Sequence, residues 1–433
     1  MLSFFLATAA CLLYVSTVNG ASDPEYDHQK TTYKASFEPI SCRDSVTASP
    51  FFSPDSSIEM YVQLIESATT SIDLYTPGFS SWSRCTPFEG CTGCSLSNMR
   101  NESFPVFPAL LNAVHEKNVK VRIMTNDYGQ KTCQDKISPL DWLYLNGIEV
   151  KTFRSVTFMH SKVMIVDKGK KTSISSVNFS YTSFNENREA GVVMSEDCKE
   201  AVSFVLSVFE YDWNKGSTYS PTNTYSSAEI EYITNSSSLP VRLPTPRHIP
   251  DAFVTIVSNV SNVELTALYT SPDYALSELN KTLQSVKKSF QLMIYQITDS
   301  QLCSAIANMK SNGIDVKLLV SSHIFSTTDW RSAQACYGML HKNGVVIQKT
   351  PSYYTYSHQK FWIVDGEEVH LSTGNWSPTD YPVGNVYPPY GATGWQDSNR
   401  NFIVGMKSSQ IVKIFEGVLE GDWKNGVLWK PYH

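Results

Sequence analysis

Read only for apolar and polar positions, the chain writes one pattern twice. From Ser53, "SPDSSIEMYVQLIESATTSIDLYT" sets apolar residues at helical spacing and then alternates them at strand spacing. "SPDYALSELNKTLQSVKKSFQLMIY" does the same from Ser271, 218 residues later. In each copy Ser is placed to cap the helix and Pro to occupy its first turn. A second helix–strand pair follows, "FPALLNAVHEKNVKVRIMTN" and "LCSAIANMKSNGIDVKLLVS", then a Gly-punctuated approach to a strand, "YLNGIEVKTF" and "HKNGVVIQKT". Both copies close on a helix with a matching end, "FEYDWNKG" and "LEGDWKNG". Helices alternating with apolar strands predict an α/β protein of two tandem repeats, each a mixed sheet flanked by helices, packed with pseudo-two-fold symmetry. The expected boundaries are 21–216 and 251–433, joined by a Ser/Thr/Pro-rich linker, 217–250, able to pack as a strap across both halves.

The same hydropathy trace isolates residues 1–20. An uncharged run from Leu2 to Val18 followed by "VNGAS" reads as a secretory leader cleaved near Gly20, too short and too broken by Thr and Ser for a bilayer span. Setting aside Cys11 leaves eight of the nine cysteines, an even number suited to disulfides in an oxidising compartment. Cys85, Cys91 and Cys94 have no neighbouring His, so bridges are expected there rather than zinc. Cys42 and Cys198 flank the first repeat and are expected to pair; Cys303 with Cys336 is a second expected bridge. Asn101, Asn235, Asn259 and Asn280 open N-x-S/T sequons, in keeping with a secreted or lumenal (endo-lysosomal) glycoprotein. A net charge of −6 argues against broad binding to polyanions, while leaving room for a local basic cleft.

Candidate chemistry sits where the repeats agree most closely, in "FMHSKVMIVD" and "YSHQKFWIVD". On a strand His160 and Lys162 share one face, as do His358 and Lys360. The strand ends at Asp167 or Asp365, and a second short strand delivers Ser176 and Asn178, or Thr373 and Asn375. Each repeat therefore offers an imidazole, an ammonium, a hydroxyl and an amide. Together two such sets suit a phosphodiester: Lys, Asn and Ser/Thr hold the non-bridging oxygens, one His attacks phosphorus, and the other serves the leaving oxygen and then water. Lys and His supply the charge a cation would bring, so no metal or cofactor is expected. Asp167 and Asp365 belong to the motif, although their place at strand ends suits holding the backbone. Both His, both Lys and both Asn are present, which argues against a binding protein that has lost catalysis.

This doubled H-x-K-x-x-x-x-D, followed by Ser/Thr and Asn, resembles the signature of the phospholipase D superfamily over nearly the whole chain, and most of all its secreted or lysosomal eukaryotic branch. The resemblance implies a phospho-histidine mechanism, with His160, Lys162, Asp167 and Asn178 matching one motif and His358, Lys360, Asp365 and Asn375 the other. It implies His160 as nucleophile and His358 as general acid. Ser175 and Ser372 stand where the family has Gly, and Thr373 replaces its second Ser. Glu189 matches the acidic residue that orients a catalytic His and is expected beside His160, while Asn401 stands at the equivalent place in the second repeat, with Asp397 near enough to lend a charge.

The repeats differ most after the second Asn. Asn178 to Arg188 spans 10 residues and Asn375 to Arg400 spans 25. The extra segment holds Trp376, Tyr381, Tyr387, Tyr390 and Trp395 with one charge, Asp380. Rings without Lys or Arg suit a lipid interface, a lid over the site, or base stacking. The expected reaction is hydrolysis of a phosphatidylcholine-like phospholipid at a membrane surface, with 5′-exonuclease action on single-stranded DNA or RNA as the alternative.

Overall fold

Two long strands carry the join between the repeats. Ile40–Ser53 and Val260–Ser271 pair antiparallel with each other, so the sheets of the two halves merge into one. The computed structural model describes residues 37–431 apart from 84, 86–90, 127–131, 154–156, 222, 236–239, 245–258 and 383–397. The expected leader, 1–20, lies outside them. Outward from Ile40–Ser53 come Glu189–Ser195, Lys171–Ser175, Val163–Val166, Ser71–Tyr75, Lys120–Thr125, Glu149–Thr152 and Ser217–Thr218. Outward from Val260–Ser271 the same order recurs: Ser398–Lys407, Glu368–Ser372, Lys360–Val364, Ser289–Ile294, Asp315–Val320, Val346–Lys349 and Val427–Leu428. The pseudo-two-fold axis passes between the two long strands.

Burial follows from the apolar patterning. "VMIV" and "FWIV" are buried at every position, as strands covered on both faces must be. Helices Lys199–Lys215 and Ser409–Lys424 cover one face, over an apolar cluster drawn from both repeats, in which Phe52 meets Phe415 and Tyr75 meets Phe402. The other face carries two separate clusters, one per repeat, around Trp142 and around Trp362. Gly147 and Gly344, each following a helix-ending Asn, take φ of +90° and +78°, the left-handed backbone that lets the chain turn from helix into strand.

Polar clamps cross the join as well. Arg188 donates to Asp422 at 2.8 and 3.0 Å and to Asp55 at 2.7 Å. Arg400 donates to Asp212 at 3.1 Å twice and to Asp273 at 2.7 Å. Asp212 and Asp422 are the aspartates of "EYDW" and "EGDW", so each repeat's closing helix is gripped by the other repeat's arginine. All four of these side chains are buried, a costly placement that pairing offsets.

Several expectations need adjusting. Ser53 and Ser271 end the long strands rather than cap helices; the helices begin at Ser57 and Ala275, after a turn that the intervening Pro and Asp residues form. Ser217–Thr218, within the expected linker, pairs with Lys151 and Thr152 of the first repeat's sheet. The linker's helix, Ser227–Thr234, lies against the first repeat: Ile233 is buried in that repeat's cluster, and Arg100 donates to Tyr232 O and Asn235 O. Disulfides join Cys42 to Cys198, Cys85 to Cys94, Cys91 to Cys133 and Cys303 to Cys336. Such bridges point to an extracellular or lumenal protein. No helix among the described residues is long and apolar enough to cross a membrane. Asn101, Asn235 and Asn259 are exposed and Asn280 is half-buried.

Candidate active site

Each histidine is hung from the opposite repeat. His160 N–H donates to Arg400 O at 3.1 Å, and Thr157–Met159 runs parallel to Ser398–Arg400. His358 N–H donates to Arg188 O at 2.7 Å, with Ser357 bridged to Arg188. The two half-sites therefore interlock rather than merely face each other.

The rings repeat this crossing. Nδ1 of His358 lies 3.0 and 2.9 Å from the two carboxylate oxygens of Glu189. Glu189 in turn accepts from Ser176 Oγ at 2.6 Å and Asn187 Nδ2 at 3.1 Å. Nδ1 of His160 lies 3.1 Å from Asn401 Oδ1 and 3.3 Å from Asp380 Oδ1. Asp380 accepts from Asn399 Nδ2 at 2.6 Å, Asn401 Nδ2 at 2.8 Å and Ser377 Oγ at 2.6 Å, while Thr373 Oγ1 donates to Asn401 Oδ1 at 3.0 Å. With Nδ1–H spent on these acceptors, each ring turns its Nε2 to the reaction.

Both lysines are completely buried. Lys360 Nζ stands 2.8 Å from His358 Nε2, whereas Lys162 Nζ donates to the carbonyls of His160 and Thr373. The side-chain Oδ1 atoms of Asn178 and Asn375 are buried without a hydrogen-bond partner, a matching pair of acceptors open to a substrate's donor.

Charge and burial set the protonation states. Burial lowers His358 to about 4, with Lys360 and Lys162 adding to the fall and Glu189 opposing it. Burial likewise lowers His160 to about 4, helped by Lys162 and resisted by Asp380. Lys360 falls to about 7 through burial, and Lys162 falls well below its ordinary value through burial and the nearby Lys360. Burial alone would raise Glu189, but His358, Lys360 and Ser176 outweigh it and hold the carboxyl below its usual range. The mutual influence of Lys162, Lys360 and both rings belongs to one compact basic centre, able to gather a phosphodiester's charge where water is excluded.

Several sequence-derived residues take partners other than those expected, and the motif aspartates take the backbone role that their strand-end position suits. Glu189 serves His358 and not His160, because its strand lies beside the opposite repeat's motif. The carboxylate serving His160 is Asp380, from the extra segment; Asp397 lies outside the described residues. Ser176 and Thr373, expected at the phosphate, donate to Glu189 and Asn401, the partners of the two rings. Asp167 accepts from the N–H groups of Thr69, Thr70 and Ser71, and Asp365 from those of Lys287, Lys288 and Ser289. The Thr69 hydroxyl together with the backbone bonds draws Asp167 below its ordinary value against burial, backbone bonds do the same for Asp365, and both motif aspartates anchor the strands beginning at Ser71 and Ser289. The extra segment is not a lid in its described part, since Trp376 and Tyr381 are buried in the second repeat's cluster. Tyr387, Tyr390 and Trp395 lie outside the described residues. Asp380 was detectable in principle, as the one charge in an uncharged insertion whose repeat had lost its Glu189 equivalent.

A tandem α/β sheet with two interlocked His–Lys motifs defines a phospholipase D-type phosphodiester centre. The family model described as "Cardiolipin synthase, PLD-like domain" matches residues 61–213 and 279–423, well over half of the chain, and the protein belongs to this phospholipase D-like family. The fold is similar to phosphatidylserine synthase from Haemophilus influenzae Rd KW20, with TM-score 0.58 and 11% identity over 90% of each chain. It is also similar to polyphosphate kinase from Porphyromonas gingivalis, with TM-score 0.51 and 11% identity over 86% of this chain and 50% of that one. The phospholipase D family member Nuc from Salmonella typhimurium is 23% identical over 42% of this chain and 99% of its own, with TM-score 0.30. No curated protein matches the chain's sequence.

Proposed function

We propose that the protein is a secreted or lumenal phosphodiesterase that cleaves its substrate in two steps through a phospho-histidine, using His160 and His358 as an attacking and a proton-carrying pair. One observation carries this reading: each imidazole is fixed through Nδ1 by the opposite repeat, with buried Lys360 at His358 Nε2 and buried Lys162 at the backbone carbonyl of His160. The Nδ2 groups of Asn178 and Asn375 complete the phosphate contacts. Lysine charge and amide donors act on the non-bridging oxygens, whose charge the transition state must hold.

For the substrate, the phosphatidylcholine-like lipid expected from the sequence rested on the aromatic segment, and Trp376 and Tyr381 are now core residues. A different feature supports single-stranded nucleic acid. A groove of about 640 Å³ is lined by Glu186, His323, Ile324, Phe325, Tyr353 and Tyr356, with Tyr354 buried beneath it against Arg188. The Tyr356 ring lies 6.0 Å from that of Tyr295, which lies 5.0 Å from His358. Phe325 is 85% exposed, with its N–H held by the Tyr295 hydroxyl at 2.8 Å. The exposed Phe325 ring and the half-buried rings of Tyr353 and Tyr356, with one aliphatic side chain and one carboxylate beside them, suit base stacking better than acyl chains. The test is to offer purified protein phosphatidylcholine vesicles with a primary alcohol in one tube and an end-labelled single-stranded oligonucleotide in another. Shortening of the oligonucleotide supports the reading. Phosphatidyl-alcohol formation without it returns the lipid assignment, and no product from either removes the proposed activity.

A further inference from the structure

We infer that His358 is the nucleophile and His160 the acid–base partner, the reverse of the order that the resemblance to the family implies. The inference rests on the phospho-histidine reading above and adds which ring carries the phosphoryl group.

Two independent asymmetries favour it. The first is counter-charge. An imidazole bonded to phosphorus through Nε2 and still protonated at Nδ1 is a cation, and it needs a full anion close to Nδ1. His358 has both oxygens of Glu189 within 3.0 Å. His160 meets a neutral amide oxygen first, at 3.1 Å, and then at 3.3 Å one oxygen of Asp380 that also accepts two amide N–H bonds. The second asymmetry is the state of Nε2. Lys360 Nζ lies 2.8 Å from His358 Nε2; with Nδ1–H given to Glu189, the neutral ring meets Lys360 through the Nε2 lone pair that a nucleophile must have. Lys162 is instead turned to the carbonyls of His160 and Thr373, leaving His160 Nε2 able to hold a proton.

The steps balance. The His358 Nε2 lone pair forms the P–N bond as the bond from phosphorus to the leaving oxygen breaks, and that oxygen takes the proton from His160 Nε2. Lys360 exchanges its ring contact for a non-bridging oxygen. Water then attacks phosphorus, gives its proton to His160, and the P–N electron pair returns to His358.

The test uses bis(p-nitrophenyl) phosphate, whose leaving group departs without an acid. His160→Ala should release one equivalent of p-nitrophenol per chain in a burst and then turn over at least about 100-fold more slowly than the unaltered protein, because the attacking water lacks its base. Alkaline quench and peptide mapping should find the aryl-phosphoryl group on residue 358. His358→Ala should give neither burst nor adduct. Glutamine variants at both positions repeat the comparison where alanine disturbs folding, and mapping the unaltered protein during turnover needs no variant at all. An adduct on His160, or a burst from His358→Ala alone, overturns the assignment. Hydrolysis with no adduct in any of these proteins overturns the phospho-histidine reading along with it.

Discussion

Replacing Asp380 with Asn removes one negative charge 3.3 Å from His160 Nδ1 while keeping the side chain's size and one acceptor oxygen. At an effective dielectric constant of about 20, a full charge pair at that separation is worth roughly 5 kcal/mol. Asp380 already spreads its charge over donors from Asn399, Asn401 and Ser377, so about half of that is a reasonable share for protonated His160. A loss of about 2–3 kcal/mol corresponds to a fall of roughly 30- to 150-fold in any step that needs the imidazolium. If His160 delivers the proton to the leaving oxygen, the first step should suffer this loss on an alkyl phosphodiester, whose alkoxide leaves poorly. It should suffer little with p-nitrophenol as leaving group. The assay is the burst phase in single-turnover kinetics on a matched pair of alkyl and aryl phosphodiesters, with unfolding midpoints as a control. Equal losses in the burst rate on both substrates, or no loss on either, would refute the assignment of Asp380 to a proton-donating ring.

Other expectations can be checked alongside. Glu189→Gln should leave a folded protein whose p-nitrophenol burst slows by about 100-fold or more, since the phosphorylated ring loses its counter-charge; an unchanged burst would place Glu189 outside the mechanism. Activity requires His160 protonated and His358 neutral, and burial lowers both rings to about 4. Rate should therefore fall as pH rises and His160 loses its proton, and fall again at lower pH as His358 gains one. A plot of kcat/KM should peak at roughly pH 4, midway between the two rings, and a maximum near or above neutrality would contradict this. Arg188→Met strands the buried Asp422 and should destabilise by about 3–5 kcal/mol in denaturant unfolding, with Asp422→Leu in the same chain recovering much of the loss. Removing the Cys42–Cys198 bridge by a double Ser substitution should cost about 2–4 kcal/mol by the same measurement.

The repeat architecture was readable in the sequence because its signals are local. Helical spacing, strand alternation, the Asn-Gly turns before Ile148 and Val345 and the doubled motif each act within a few residues. His160, Lys162, His358 and Lys360 were legible for the same reason. The partners of the rings were not. Glu189 reaches His358 only because Ile40–Ser53 and Val260–Ser271 fuse the two sheets, and that long-range pairing has no mark in either repeat alone. Asp380 lies in a segment without motif or period, so its role depends on the fold bringing Asn399 and Asn401 beside it. The bonds of Ser176 to Glu189 and of Thr373 to Asn401 were not legible either, because spacing shows that a hydroxyl is near the site, but not which buried carboxylate or amide accepts from it.

All of these expectations depend on both repeats closing on one phosphorus atom. A crystal structure of the protein with vanadate, a mimic of pentacoordinate phosphorus, tests this most directly. The account predicts a single ion with His160 Nε2 and His358 Nε2 on opposite sides and both lysine Nζ atoms on its equatorial oxygens. Vanadate held by one repeat alone, or by other residues, would contradict it.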